Sequence, residues 1–196
     1  MARIGVLALQ GAFIEHIHVL RSLGIDGVEV RLPAHLRGLS GLIIPGGEST
    51  TIGKLAVDFQ LIEPLRAMAV DGFPMWGTCA GMILLAKSVG RDQPLIGVMD
   101  IAVRRNAFGR QVDSFETDLL IPALDAVGTP EERGKPFHSV FIRAPYIEIV
   151  GADVERLACL PNGAVVAARQ GNLLATAFHP ELGSDARFHR YFVSIA

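Results

Sequence analysis

The sequence predicts an α/β protein with a mostly parallel central sheet and helices on both faces. Short β-branched or apolar runs alternate with helical patterns through the first half, as in strands joined by crossover helices. Half of the 196 residues are apolar and only 19% are charged, a composition that supports a substantial core. No linker divides the chain, so one domain over residues 1–196 is expected.

The first half is predicted to contain strands interleaved with helices. The strands cover residues 4–9, 28–32, 42–44 and 73–76. The helices cover residues 12–23, 52–57, 62–70 and 80–87.

The second half changes to strand-like segments separated by turn residues. They cover residues 97–103, 111–120, 137–143, 147–150, 156–160, 164–169 and 173–178. A closing amphipathic helix is predicted over residues 184–195, with Ser184 as its N-cap. Residues 122–136, rich in proline, glycine and charge, are predicted to form an exposed loop.

Composition and charge exclude several classes of function. The net charge of −2 and the absence of a basic run argue against nucleic-acid binding. No apolar run approaches the roughly 18 residues of a membrane span, and the first residues lack the pattern of a signal peptide, so we expect neither a membrane span nor a leader. The two cysteines, Cys79 and Cys159, make neither a disulfide framework nor a zinc site, so we expect a cytoplasmic protein without metal or cofactor.

The strongest local motif is the Gly-Thr-Cys-Ala-Gly sequence at residues 77–81. It lies between a predicted strand and a predicted helix, as in the Gly-x-nucleophile-x-Gly elbow of hydrolases with Cys79 as the nucleophile. The glycines leave room for a tight turn, and a helix N-terminus favours the reactive thiolate. The structural alternative is a small buried cysteine. Cys159, in a strand-like run, is interpreted as a core or partly exposed residue.

A nucleophilic cysteine needs a base, and His179 is the best candidate. It follows a predicted strand, and the carboxyl ends of parallel strands form the functional edge of a sheet. Glu181 follows two residues later, after Pro180, and can accept from one ring nitrogen while the other faces sulfur. Alone, this motif is more typical of a strand-end turn with a surface acid, and only together with the Cys79 elbow does it favour a catalytic pair.

The other histidines receive no catalytic assignment. His16 and His18 lie two residues apart on a helix, on different faces, so a shared metal is not expected. His189 is placed on the surface of the last helix, and His35 and His138 have no role.

An oxyanion hole is predicted from the Pro-Gly-Gly-Glu-Ser segment at residues 45–49. Backbone N–H groups near Gly46 and Gly47, together with the N–H of Ala80, are natural donors to a developing oxyanion. The alternative is a phosphate cradle, but no Lys-Ser/Thr pair follows at P-loop spacing.

These three motifs, in this order, resemble those of the triad-type (class I) glutamine amidotransferases. The chain is more closely similar to one family among them, the glutaminase subunits of pyridoxal 5′-phosphate synthase. The resemblance runs over nearly the whole chain, through residues 5–12, 15–16, 42–51, 77–86, 105–116, 141–145 and 167–182.

The resemblance implies a flavodoxin-like three-layer fold and hydrolysis of L-glutamine to glutamate and ammonia. It also implies a partner, a (β/α)8-barrel lyase subunit in a large hetero-oligomeric complex, which uses the ammonia to make pyridoxal 5′-phosphate. By motif, Cys79 is the nucleophile, His179 the general base and acid, and Glu181 the residue that orients it. The implied glutamine contacts are Gly47, Glu48, Ser49, Arg105, Ile142 and Arg143.

Arg105 and Arg143 would then hold the α-carboxylate of glutamine, and Glu48 its ammonium group. Without the resemblance, each arginine is interpreted as a solvated surface charge. One departure is visible, because the segment at residues 125–136 is longer than the family pattern.

Three other functions remain open from the residues. They are a glutaminase of another synthase, a cysteine peptidase or thiol hydrolase, and a subunit that only stabilises a partner. The stretches at 105–116 and 141–145 argue against the first, and the set of Cys79, His179 and Glu181 argues against the last.

Overall fold

The computed structural model describes residues 2–105 and 114–196. Most strands of this part of the chain join one ten-stranded sheet, whereas β7 and β8 form a separate two-stranded ribbon. The first six strands are β1 (Arg3–Leu7), β2 (Asp26–Val30), β3 (Gly41–Ile44), β4 (Met75–Thr78), β5 (Ala86–Ser88) and β6 (Met99–Arg104). The last six are β7 (Ser114–Leu119), β8 (Phe137–Ile142), β9 (Tyr146–Val150), β10 (Glu155–Cys159), β11 (Val165–Gln170) and β12 (Leu173–Thr176).

The large sheet runs in the order β2-β1-β3-β4-β12-β11-β9-β6-β5, with β10 beside β11. Its first five strands are parallel, in the flavodoxin-like order with β12 in fifth place. β9 and β10 pair antiparallel with β11, which itself pairs antiparallel with β12. Every residue of β3, β4 and β12 is buried, and because successive side chains point to opposite faces, both faces of the sheet centre are covered.

Five helices accompany the sheet within the described residues. They are α1 (Phe13–Ser22), α2 (Ser49–Asp58), α3 (Ile62–Val70), α4 (Ala80–Leu85) and α5 (Arg187–Ile195). α1 and α5 meet over Trp76 of β4, where the rings of His16, Phe188 and Phe192 pack against the indole. α4 packs on β4 and contacts α2.

The element predictions are largely confirmed, with two corrections to the helices. The helix predicted over residues 80–87 ends at Leu85, and the short strand β5 follows it directly. Ser184 is not the N-cap of the last helix: α5 begins at Arg187, and the carboxylate of Asp185 accepts the Arg187 N–H. Of the strand predicted over 111–120, the first three residues lie outside the described part of the chain.

The segment at residues 122–136 is not simply an exposed loop. It contains the 3₁₀ helix Pro122–Ala126, and Leu124 is buried against the core. The guanidinium of Arg187, itself 3% exposed, donates to the carbonyls of Glu132, Lys135 and Pro136 and pairs with Asp185 at 2.6 Å. The segment is thus fastened to the start of α5 by a buried cation, a long-range contact that turn propensities do not reveal.

We expect Arg187→Leu to lower the free energy of unfolding by about 3 kcal/mol, because it leaves a carboxylate and several carbonyls without their donor. Urea-induced unfolding measures the loss. Arg3→Leu is the control, since Arg3 pairs with Asp26 in solvent and should change stability by less than about 1 kcal/mol. Equal losses in the two variants would contradict the anchoring role of Arg187.

Candidate functional site

Cys79 lies in a strained turn between β4 and α4. Its backbone adopts a φ of 47° and a ψ of −102°, a conformation that costs a non-glycine residue about 1–3 kcal/mol. The Cys79 N–H is tied to the carbonyl of Thr176 at 2.8 Å. Glycines are required on both sides: a Cβ on Gly77 would lie 2.4 Å from the backbone of Gly81, and one on Gly81 would lie 1.9 Å from the carbonyl oxygen of Ile44. The predicted elbow geometry is therefore present.

His179 reaches the same place from β12, which ends at Thr176. Its N–H donates to the carbonyl of Val140, and Nδ1 lies 2.7 Å from Oε1 of Glu181. Glu181 is buried in the short 3₁₀ helix Pro180–Leu182. The strand-end turn thus holds the imidazole and the carboxylate as one unit, as the His-Pro-Glu motif predicted.

The charge state of His179 is set by its two neighbours. Burial lowers the pKa of His179, but hydrogen bonds with Cys79 and with Glu181 favour the charged ring more and raise the pKa to about 10. At neutral pH the ring is therefore an imidazolium between a sulfur atom and a carboxylate.

The glycine segment after β3 lies against this unit. A Cβ on Gly46 would lie 2.3 Å from Cε1 of His179, so only glycine allows this approach. The carbonyl of Gly46 accepts from the N–H of Ala12, and the N–H of Glu48 donates to the side chain of Gln10. Gly46 therefore lies beside His179 and Cys79, and Gly47 and Ala80 line the same cavity as Cys79, whereas the Glu48 N–H is already engaged.

These residues border a cavity of about 390 Å³, a volume that holds a small amino acid. The cavity is lined by all of the predicted catalytic, oxyanion-hole and substrate-binding residues except Gly46 and Glu181. Its lining residues are Gln10, Gly47, Glu48, Ser49, Cys79, Ala80, Ile83, Arg105, Ile142, Arg143, Pro145 and His179. Gln10, Ile83 and Pro145 were not predicted from the sequence, although all three lie in stretches that carry the resemblance.

Glu48 has a structural role at the cavity wall. It is the N-cap of α2, where its Oε2 accepts from the hydroxyl of Thr50 and from the N–H and hydroxyl of Thr51. The small burial of Glu48 raises its pKa, but these hydrogen bonds outweigh that effect and lower the pKa to about 2. Its other oxygen accepts from Arg105 at 3.1 Å.

Arg105 is held on its second side by Gln93, which accepts from Nη1 at 2.9 Å. Arg143, which also lines the cavity, is exposed and has a φ of 44° directly after β8. A strained backbone at a cavity wall is typical of residues placed for binding. Both arginines thus line the cavity, Arg105 directly after β6 and Arg143 directly after β8, and Arg105 is held by two side-chain partners.

Behind Glu181 lie two buried histidines, and the sequence prediction was wrong for one of them. His16 is fully buried on α1, whereas His18 is exposed, so the prediction that they occupy different faces is confirmed. His189 is not on the surface of the last helix: it is fully buried, with Nε2 at 2.9 Å from Nδ1 of His16. The amphipathic pattern of α5 offered no signal that a polar residue would face inward.

In the parts of the chain that the structure describes, no helix has the length and apolar character needed to cross a membrane. The same residues contain no group of three or more His, Cys, Asp or Glu side chains placed to hold a metal ion.

Comparison with solved structures shows the class of protein to which the fold belongs. A chain described as the crystal structure of a glutamine amidotransferase superposes with a TM-score of 0.89 at 50% identity, covering 98% of this chain and 97% of that one. The chain thus has the α/β fold of the class I glutamine amidotransferases, which confirms the predicted fold class.

Sequence comparison narrows the class to one family. The model of the SNO glutamine amidotransferase family matches residues 6–196. A protein named pyridoxal 5′-phosphate synthase subunit PdxT from Herpetosiphon aurantiacus is 60% identical over 98% of this chain and 99% of its own length. One of the same name from Moorella thermoacetica is 59% identical over 98% of both. The chain belongs to the SNO glutamine amidotransferase family.

The charge states of the three buried histidine rings can be tested by NMR. We expect the ¹⁵N shifts of His179 to show an imidazolium at pH 7.5 that deprotonates near pH 10, while His189 stays neutral at pH 5 and the pKa of His16 lies well below its usual range. Protonation of His179 stabilises the fold fully below pH 6.5, and this contribution is lost as pH rises through about 10. Burial of neutral His189 contributes to the stability of the fold above pH 6.5, and this contribution is lost as pH falls towards about 3. Titration of His179 near 6.5 would contradict the assignment.

Proposed function

We propose that this chain is the glutaminase subunit of a pyridoxal 5′-phosphate synthase, acting as one domain over residues 1–196. The observation that carries the proposal is the meeting of Cys79, in a strained elbow, with a His179 held by Glu181 at the wall of an amino-acid-sized cavity. Membership of a glutamine amidotransferase family and the names of the relatives support the reaction and the synthase.

In the first half-reaction the Cys79 thiolate attacks the side-chain amide carbon of L-glutamine. The carbonyl oxygen becomes an oxyanion, which N–H groups near Gly46 and Gly47 and the N–H of Ala80 stabilise. The His179 imidazolium gives its proton to the amide nitrogen, the C–N bond breaks and ammonia leaves. The product is a γ-glutamyl thioester on Cys79.

In the second half-reaction neutral His179 takes a proton from water as the water oxygen attacks the thioester carbon. The C–S bond breaks, glutamate is released, and the thiolate and imidazolium are restored. Glu181 keeps Nδ1 protonated and stabilises the positive charge, so the other ring nitrogen faces the reacting atoms throughout.

The cavity wall supplies the recognition of an α-amino acid. Arg105 and Arg143 offer guanidinium groups for the α-carboxylate, and Glu48 offers a carboxylate oxygen for the ammonium group. Glu48 already pairs with Arg105, so the two groups of the substrate insert into an existing ion pair. Gly47, Ser49 and Ile142 complete the predicted contacts.

Ammonia must reach its acceptor before it escapes to water, so a partner has to cover the exit from the cavity. From the family resemblance, this partner is a (β/α)8-barrel lyase subunit, assembled with the chain in a large cytoplasmic complex that makes pyridoxal 5′-phosphate. L-Glutamine is the substrate, and no cofactor enters the glutaminase reaction.

The proposal is tested by glutamate release from L-glutamine, measured with and without a pyridoxal 5′-phosphate synthase lyase subunit. We expect release chiefly with the lyase, and its complete loss in Cys79→Ala. Cys159→Ala is the matched control, because Cys159 is the exposed cysteine and should leave release unchanged.

Equal release with and without the lyase would support the glutaminase activity but contradict the assignment to pyridoxal 5′-phosphate synthase. Turnover of glutamine by Cys79→Ala would overturn the assignment of Cys79 as the nucleophile. No release from the native chain, with a Cys79 thiol that still reacts with iodoacetamide, would favour a thiol hydrolase of another specificity.

Glu181→Gln tests the orienting carboxylate. We expect kcat to fall about 100-fold or more, because the amide does not stabilise the imidazolium and can force the wrong tautomer. The thioester should remain detectable by mass spectrometry after acid quench. Glu63→Gln, at an exposed pair with Arg66, is the control and should leave kcat unchanged. An unchanged rate in Glu181→Gln would remove Glu181 from the site.

A further inference from the structure

A chain of buried polar groups extends behind Glu181, away from the cavity. Its members are His16 on α1 and His189 on α5, both 0% exposed. His16 Nδ1 lies 2.9 Å from His189 Nε2, while His16 Nε2 lies 3.3 Å from Thr78 Oγ1 and 3.4 Å from Glu181 Oε2. The mechanism above uses neither histidine.

Both rings are neutral in this setting. Burial, together with the nearby His189 and His179, holds the pKa of His16 well below its usual range, and burial lowers that of His189 to about 3. Each ring therefore carries one N–H and one lone pair. Because a buried polar group that contributes nothing is costly, two such rings at one carboxylate require an explanation.

The hydrogen-bond geometry selects one tautomer for each ring. His189 Nδ1 has no hydrogen-bond partner among the described residues. An orphaned buried N–H is rarer than an orphaned acceptor, so the His189 proton lies on Nε2 and is donated to His16 Nδ1. The His16 proton then lies on Nε2, and it points towards Thr78 Oγ1 and Glu181 Oε2.

Glu181 Oε2 is the atom that lacks a donor. It is buried and accepts no hydrogen bond in the described part of the chain, although Oε1 is engaged with His179. His16 Nε2 faces it at 3.4 Å, a few tenths of an ångström beyond an ordinary hydrogen bond. Hydrogen bonds of this kind commonly tighten when the substrate complex forms.

We propose that His16 is a positioning residue, whose Nε2–H holds Glu181 Oε2 so that Oε1 stays on His179, with His189 fixing the required tautomer. The proposal rests on the proposed function, because Glu181 matters only if His179 is the general acid and base. A neutral donor suits this place, since a cation there would compete with the His179 imidazolium for the carboxylate.

The experiment compares three variants of the full chain, assayed with the lyase subunit for kcat and KM of glutamate release. His16→Leu removes the donor at similar volume. His16→Gln retains an amide N–H near the position of Nε2. Leu20→Ala is the matched control: Leu20 is buried one turn further along α1, and its apolar side chain has no hydrogen-bond donor to offer Glu181.

We expect His16→Leu to lower kcat about 10- to 100-fold, as for one lost hydrogen bond to a charged group, with KM changed by less than about twofold. His16→Gln should recover most of that kcat. Leu20→Ala should lower Tm by at least as much as His16→Leu while kcat stays at the native value.

A native kcat in His16→Leu would overturn the positioning role. The role would also be overturned if kcat of Leu20→Ala fell together with its Tm, or if kcat of His16→Gln stayed as low as that of His16→Leu. Each result would mean that the loss of kcat comes from lower stability alone. A native chain without glutaminase activity would instead overturn the proposed function, and the inference with it.

Discussion

The carbonyl oxygen of Ile44, at the end of β3, lies so close to Gly81 that any Cβ there would come within 1.9 Å of it. This backbone contact sets where α4 begins, and therefore where the turn holding Cys79 must stand. It also brings the glycine segment after β3 beside Cys79 and against the ring of His179. The strain at Cys79 is maintained by the surrounding packing, as strain at functional sites usually is. The remaining site residues are arranged around that fixed point.

Much of the fold and of the candidate site could be predicted from the sequence, because short-range physics determines it. Buried strands read as continuous apolar runs, and β3, β4 and β12 were located within two residues on that basis. Glycines at 77 and 81 stand where only the absence of a side chain permits the packing. The proximity of His179 to Glu181 follows from two residues of separation around a proline.

What could not be predicted depends on contacts between distant parts of the chain. His189 was placed on the surface because helical periodicity reports the average character of a face, and cannot show that one polar ring meets His16 across 173 residues. The segment at 122–136 has loop composition, yet Arg187 anchors it through backbone carbonyls, which carry no sequence signature. Gln93, which holds Arg105, likewise becomes visible only once the two elements are folded together.

The capping of α2 by Glu48 places a constraint on protein engineering. The same carboxylate terminates a helix and faces the cavity, with one oxygen assigned to each task. Changing it to accommodate a different amide would also remove an N-cap, whose loss typically destabilises a helix by about 1 kcal/mol. A library that varies this wall should therefore supply a replacement cap, such as aspartate or serine. Without one, selection would discard variants for instability rather than for specificity.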